Sequence, residues 1–284
     1  MVKNIVSVAV IGTGTMGQGI AQLCAANGYT TQLYDLNQGL SIKALENITN
    51  GLTNLVAKNK ISEGTKSEIL SRLTIAQSLQ EIRVDVVIEA IVEKLEAKQK
   101  LFTELETINN GKAILATNTS SIPITHIASA LQFPQQCVGL HFFNPATFMR
   151  LVEVILGVST SPDVAETMKN FASTLQKTVV MVKDSPGFIV NRVARHYYVE
   201  ALKLLEEGIA THEQIDALLK SAGFKMGPFE LMDLIGIDVN FTVTSSLYQS
   251  FYHEARFRPS RIQAQKIMAQ QLGRKTGKGF YNYD

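Results

Sequence analysis

The segment "GLHFFNPATFMRLVEV", Gly139–Val154, carries one imidazole and one carboxylate, His141 and Glu153, twelve residues apart in an apolar run with a turn at Asn144-Pro145. Two apolar strands joined by a short turn are neighbours, so these side chains can face each other. A lone carboxylate among Val and Leu is costly to bury unless it is paired. A carboxylate on one imidazole nitrogen fixes the tautomer and raises the basicity of the other nitrogen. That is the design of a histidine–acid pair for proton transfer. It needs neither a metal nor a covalent nucleophile.

Other polar residues stand where strands should end. "ATNTSS" puts Asn118, Ser120 and Ser121 beyond an apolar run. Taken alone, their side chains read as caps for a helix starting near Pro123. His126, His196, His212 and His253 have no comparable company and read as surface or packing residues.

"VAVIGTGTMGQGIAQLCAANGYTTQLYD" holds Gly12, Gly14 and Gly17 as G-x-G-x-x-G, after a strand pattern and before a helical one. Gly12 permits a tight turn, Gly14 lets backbone approach a pyrophosphate, and Gly17 lets the helix pack close. The helix opens at Thr15, Met16 and Gly17, whose amides and dipole suit phosphate. Asp35 follows Gly12 by 23 residues. An acid there accepts bonds from ribose hydroxyls and repels a 2′-phosphate, favouring NAD over NADP. FAD uses a similar turn, and the glycines leave it open.

Elements must hold these groups in place. Up to about residue 185, short β-branched runs alternate with helical patterns: 7–12, 30–35, 85–91, 113–120, 137–143, 150–156 and 178–184. This is the pattern of βαβ units on a mostly parallel sheet covered on both faces. "KDSPGF" ends it, and helical periodicity follows, first in "FIVNRVARHYYVEALKLLEEG" with Gly208 as the expected terminator. The expected fold is α/β: a Rossmann-type doubly wound domain over 1–185, then a smaller all-α domain over 186–284.

Net charge is +2 with Lys and Arg spread along the chain, so neither a nucleic-acid stripe nor a membrane-binding helix is expected. No apolar run reaches the roughly 18 residues of a spanning helix. Cys24 and Cys137 lie in apolar runs and read as buried thiols of a reducing compartment. A cytoplasmic location is expected.

The motifs "VIGTGTMGQGIA", "VVIEAIVE", "TNTSS", "GLHFFNP", "LVEVI", "SPGFIVNR", "MGPFELMDLIGID" and "GRKTGKGFY" run nearly end to end, and together they resemble the L-3-hydroxyacyl-CoA dehydrogenases, close to the bacterial 3-hydroxybutyryl-CoA enzymes. The resemblance implies oxidation of the 3-hydroxyl of an acyl-CoA thioester with NAD as hydride acceptor. His141 then matches the general base and Glu153 its orienting carboxylate. Ser120 and Asn191 match residues that bond the substrate oxygens. Asp35 matches the ribose acid; Glu93, Lys98 and Asn118 match the nicotinamide side; Lys275 matches a tail lysine near the cofactor. Lys58 matches a lysine that meets the CoA phosphates. The resemblance further implies a helical hairpin in the first domain and a homodimer through the second.

Departures are visible. Arg150 ends "ATFMR" where Lys is common, and Ala57 stands where a second lysine is frequent. "RHYYVEALKLLEEG" looks most like the branch acting on 3-hydroxyadipyl-CoA, for whose distal carboxylate Arg150 or Arg195 would be the cation. Two other readings compete: a hydroxyacid dehydrogenase without CoA, and a non-catalytic dinucleotide-binding structural protein.

Overall fold

The computed structural model describes residues 3–283. The chain divides into two compact units, Met1–Ser185 and Pro186–Asp284. In the first, β1 (Ser7–Ile11), β2 (Thr30–Tyr34), β3 (Leu73–Ile75), β4 (Val86–Glu89), β5 (Ile114–Thr117), β6 (Cys137–Phe142), β7 (Leu151–Leu156) and β8 (Thr178–Lys183) form one sheet. Their spatial order is β3-β2-β1-β4-β5-β6-β7-β8. The first six are parallel; β7 runs antiparallel to β6, and β8 parallel to β7. Seven strands follow the apolar runs of the sequence. The edge strand β3 was not expected there: three residues, "LTI", are too short to show a period.

The helices are α1 (Thr15–Ala26), α2 (Gln38–Ala57), α3 (Glu63–Ser71), α4 (Leu95–Ile108), α5 (Ile124–Ala128) and α6 (Pro162–Thr174). Local chemistry starts several of them. Asn37, Ser62 and Ser161 cap α2, α3 and α6 with side-chain oxygens, and Pro162 takes the first turn of α6. α1, α2, α3 and α6 bury Ile20, Cys24, Leu52, Ile69 and Phe171 against Val8, Val10, Ile88, Leu140 and Val154. Each such side chain contributes about 1.5–3 kcal/mol. The alternate strand residues Ala9, Val87 and Leu115 point to the opposite face. α2 and α3 make a hairpin inserted between β2 and β3. Cys24 and Cys137 are buried thiols, and burial pushes the Cys24 thiol up to about 12.

The second unit contains α7 (Val190–Glu206), α8 (His212–Ser221), α9 (Pro228–Ile235), α10 (Ile237–Ser250) and α11 (Arg261–Met268). Gly208 has a φ of +68° just past α7, as a left-handed terminator should. The tail after α11 folds through isolated bridges Gly273–Lys278 and Lys278–Asn282. It is clasped by the buried Asp233 of α9, whose carboxylate accepts from the amides of Phe280 and Tyr281 and the hydroxyl of Tyr283. A Cβ on Gly279 would sit 2.1 Å from Asp233 Oδ1, so the glycine of "GKGFY" makes room for that clasp.

Candidate active site

In a doubly wound sheet ligands bind at the carboxyl ends of the strands, where the order reverses. Here the chain steps from β1 to β2 on one side and later to β4 on the other. The ends of β1, β2, β4, β5 and β6 carry Gly12, Asp35, Glu89, Asn118 and His141 along one sheet edge. β7 enters at this same edge because it is antiparallel to β6.

The antiparallel register sets His141 directly opposite Glu153. His141 Nδ1 lies 2.8 Å from Glu153 Oε2, and the two are 6% and 1% exposed. The imidazole also packs against the Phe143 ring, 4.5 Å between centroids. A 1%-exposed carboxylate needs such a partner, and in return it holds the ring in one tautomer. Asn118, at the end of β5, accepts the amide of Phe142 through its side-chain oxygen at 2.9 Å, tying β5 to β6.

The Thr119–Ser121 loop is held differently from a helix cap. α5 begins without a side-chain cap, which corrects the capping role expected of Asn118, Ser120 and Ser121. Instead Glu93 Oε1 accepts from the Thr119 hydroxyl, the Ser120 amide and the Ser121 hydroxyl. Lys98 stands 3.2 Å from the other oxygen of Glu93 and 2.6 Å from Glu89. Burial alone would raise the Glu93 carboxyl; the Lys98 ammonium and the Thr119 and Ser121 hydroxyls outweigh it and hold the group below its ordinary value. Lys98 itself is 1% exposed, so it reaches the crevice through Glu93. Glu89 was missed by the sequence reading. It is fully buried, accepts the Thr117 hydroxyl and the Ile91 amide, and is the principal partner of Lys98. The acid nine residues before Lys98 in "VIEAIVEKLEAK" was its available signal.

The glycine turn fits a dinucleotide. Gly12 has a φ of +90°, and its carbonyl would lie 1.8 Å from a Cβ on Gly17, so neither glycine can be replaced without shifting backbone. A Cβ on Gly14 would meet no protein atom within 4 Å. Its bareness is therefore explained by an approaching ligand rather than by packing. The first turn of α1, Thr15, Met16 and Gly17, has no side-chain cap and no acidic residue. Asp35 Oδ2 accepts the Thr13 amide at 2.9 Å, and Oδ1 accepts that of Asn37, so the acid is fixed beside the turn. Asp35→Ser is expected to lower kcat/KM for NADH by roughly ten- to hundredfold, the worth of one hydrogen bond to a charged group, and to narrow the gap to NADPH. Initial rates with the two cofactors measure that ratio; an unchanged ratio would remove Asp35 from cofactor choice.

Other expected residues lie elsewhere. Lys58 is exposed and caps the C-terminal end of α2. Asn191 is in the first turn of α7, and Lys275 is ion-paired with Asp238 at 2.6 Å; both belong to the second unit. Arg150 is exposed at the start of β7. Arg195 is 4% exposed; it donates to the Asn240 carbonyl and the Thr244 hydroxyl and lies over the Tyr198 ring. Burial lowers its guanidinium to about 10. This corrects the expectation that Arg195 offers a cation to a substrate carboxylate: its face is spent between helices α7 and α10. His126, His196 and His253 are exposed, and His212 packs against Tyr281.

Known proteins share this arrangement. Residues 7–185 match the family described as 3-hydroxyacyl-CoA dehydrogenase, NAD binding domain, and 187–283 match its C-terminal domain. A 3-hydroxyadipyl-CoA dehydrogenase of Escherichia coli K12 is 44% identical over all of this chain, which spans 60% of that longer protein. A 3-hydroxybutyryl-CoA dehydrogenase of Clostridioides difficile is 41% identical over 97% of the chain and 99% of its own length. The solved (S)-3-hydroxybutyryl-CoA dehydrogenase of Ralstonia eutropha is 36% identical and superposes with a TM-score of 0.95 over 99% of this chain and all of its own. With both family domains matched end to end, and relatives of 41–44% identity across nearly the whole sequence, the chain belongs to the NAD-binding 3-hydroxyacyl-CoA dehydrogenase family.

Proposed function

We propose that the protein catalyses reversible oxidation of (S)-3-hydroxyacyl-CoA thioesters to 3-oxoacyl-CoA, with His141 as the base. The observation that carries this is the His141–Glu153 pair, buried at the strand ends and 2.8 Å apart. With Nδ1–H donated to Glu153, Nε2 is the nitrogen that takes the hydroxyl proton in oxidation and returns it in reduction. NAD, when held at the glycine turn, supplies the ring that accepts the hydride from C3. Ser120, on the loop fastened by Glu93, is assigned to the substrate oxygen, and Asn191 joins it in that role. Lys98 supports Glu93, Asn118 steadies β6, and Lys58 and Lys275 supply cations for the CoA phosphates and the cofactor.

Short acyl chains such as 3-hydroxybutyryl are the favoured substrates, in line with the C. difficile and R. eutropha relatives. The dicarboxylyl alternative, 3-hydroxyadipyl-CoA, is favoured by one observation: Arg150 is exposed at the start of β7, three residues before Glu153. The partner is a second copy of the chain: Val193, Leu234, Ile235 and Val239 of the second unit expose 42–65% of their surface. A cytoplasmic location agrees with two buried free thiols and with the lack, among the described residues, of a helix long and apolar enough to cross a membrane.

The test is NADH consumption with acetoacetyl-CoA, with NADPH in parallel, then a panel adding 3-oxoadipyl-CoA. Turnover with NADH and far slower turnover with NADPH is expected. NADH binding without turnover of any thioester would sink the enzymatic reading. Arg150→Ala should weaken only the adipyl substrate, if that is the one used.

A further inference from the structure

The turn between β6 and β7 joins the strand of His141 to the strand of Glu153, and little of it is packed. From Asn144 to Arg150 only Ala146 is buried. Inside the turn, the Phe148 and Met149 amides both donate to the Pro145 carbonyl, at 3.0 and 2.9 Å. Asn144, Pro145 and Thr147 border a cavity of about 190 Å³ shared with Gln18 and Asn47, so side-chain packing does not fix them there.

Two contacts hold the turn instead. Ala146 lies against α1 at Gly19, where an added Cβ would stand 3.2 Å from the Ala146 Cβ, closer than carbon atoms prefer. The second contact is Lys177, in the link between α6 and β8. Its Nζ donates to the carbonyls of Ala146 and Met149, both at 2.7 Å. The next amide, of Thr178, donates to the Arg150 carbonyl at 2.8 Å. Three carbonyls of the turn therefore end on two consecutive residues. Lys177 is anchored in its own right, because its amide donates to the Ala172 carbonyl in the last turn of α6 at 3.3 Å.

The ammonium is half-buried, and burial lowers its pKa below the ordinary lysine value with no acid to offset it. Taking a cation partly out of water is unfavourable by itself. The two short bonds to carbonyls compensate, and bonds from a charged donor are stronger than neutral ones.

We propose that Lys177 is a positioning residue for the reaction: it draws the β6–β7 turn onto Gly19 and so fixes the strand of His141 against α1, the helix behind the glycine turn. The inference rests on the reading of His141 as the base. The ladder between β6 and β7 already sets His141 opposite Glu153. What the turn adds is the placement of that pair toward the dinucleotide, on which proton and hydride transfer at one carbon depend.

The test is kcat and KM for acetoacetyl-CoA and NADH in wild type, Lys177→Met, Lys177→Arg, Gly19→Ala and the Lys177→Met/Gly19→Ala double variant, well below each melting temperature. Lys177→Met should lower kcat by roughly ten- to hundredfold, the upper figure being that of a displacement of about 1 Å, and leave the NADH KM unchanged. Lys177→Arg keeps the charge and the N–H donors and should recover most of kcat. Gly19→Ala presses on Ala146 and should also lower kcat. Because both changes displace one turn, the double variant should lose less than the product of the single losses. A lysine needed only for stability would lower the melting temperature and leave kcat as in wild type. Unchanged kcat in Lys177→Met, a loss that arginine does not repair, a loss matched by the NADH KM, or fully multiplicative losses would overturn the assignment. If His141→Ala also keeps full activity, the reading of the base fails first; if only Lys177→Met does, this inference fails alone.

Discussion

His141→Ala is expected to lower kcat for acetoacetyl-CoA reduction by roughly 10²- to 10⁴-fold, the span of general acid–base catalysis, with NADH affinity nearly unchanged. The imidazole is buried beside β7 and bonds Glu153, whereas the cofactor elements are the glycine turn and Asp35 on other strands. Loss of the ring therefore removes the proposed proton carrier and leaves the glycine turn and Asp35 in place. It also removes one hydrogen-bond partner of a carboxylate that is 1% exposed, so a falling melting temperature is part of the expectation. His141→Gln retains a donor toward Glu153 and should recover stability without recovering turnover. Stopped-flow NADH fluorescence and steady-state rates separate the two effects. Full activity in either variant would refute the mechanism.

The second large effect is on stability. Lys98→Met would leave Glu89, fully buried, without its cation. Breaking a buried pair from one side costs about 3–5 kcal/mol. For a unit of this size that is a drop of roughly 6–20 °C in melting temperature. Pairing it with Glu89→Gln removes the stranded charge, and most of the loss should return. If the double variant is no more stable than the single one, Lys98 matters through packing and not through charge. A pH series adds an independent check through Glu93. Its carboxyl is held below the ordinary value in the folded state, so its contribution is complete at neutral pH and disappears as pH falls through that depressed value. Lys98→Met removes the leading cause of the depression, so the variant should lose part of its acid-side slope. Activity should fall with stability, because Glu93 fastens the Thr119–Ser121 loop that presents Ser120.

Part of this site follows from short-range sequence rules. G-x-G-x-x-G between a strand pattern and a helix pattern, with an acid 23 residues on, specifies a phosphate turn because its constraints act within one βαβ unit. The histidine and the glutamate on either side of Asn144-Pro145 face each other because a turn between two strands makes them neighbours, and the register 141–153 is what pairs them. Gly208 ends α7 because a glycine tolerates the left-handed backbone there. The break at Pro186-Gly187 likewise lies where the strands stop and the helices begin.

Tertiary structure alone decided the rest. Whether a lysine in an amphipathic helix faces water or a buried acid depends on what packs against it, and only the fold puts Lys98 between Glu89 and Glu93. Arg195 looks available in sequence; α10 buries it. Gly273 and Gly279 of the tail make room for Asp233, forty and forty-six residues earlier in the chain. Strand β3 has no period of its own and exists because the edge of β2 accepts it. The sequence of this protein determines its chemistry wherever the partners are local, and the burial of charge, which sums contacts from distant segments, is determined only when the chain has folded.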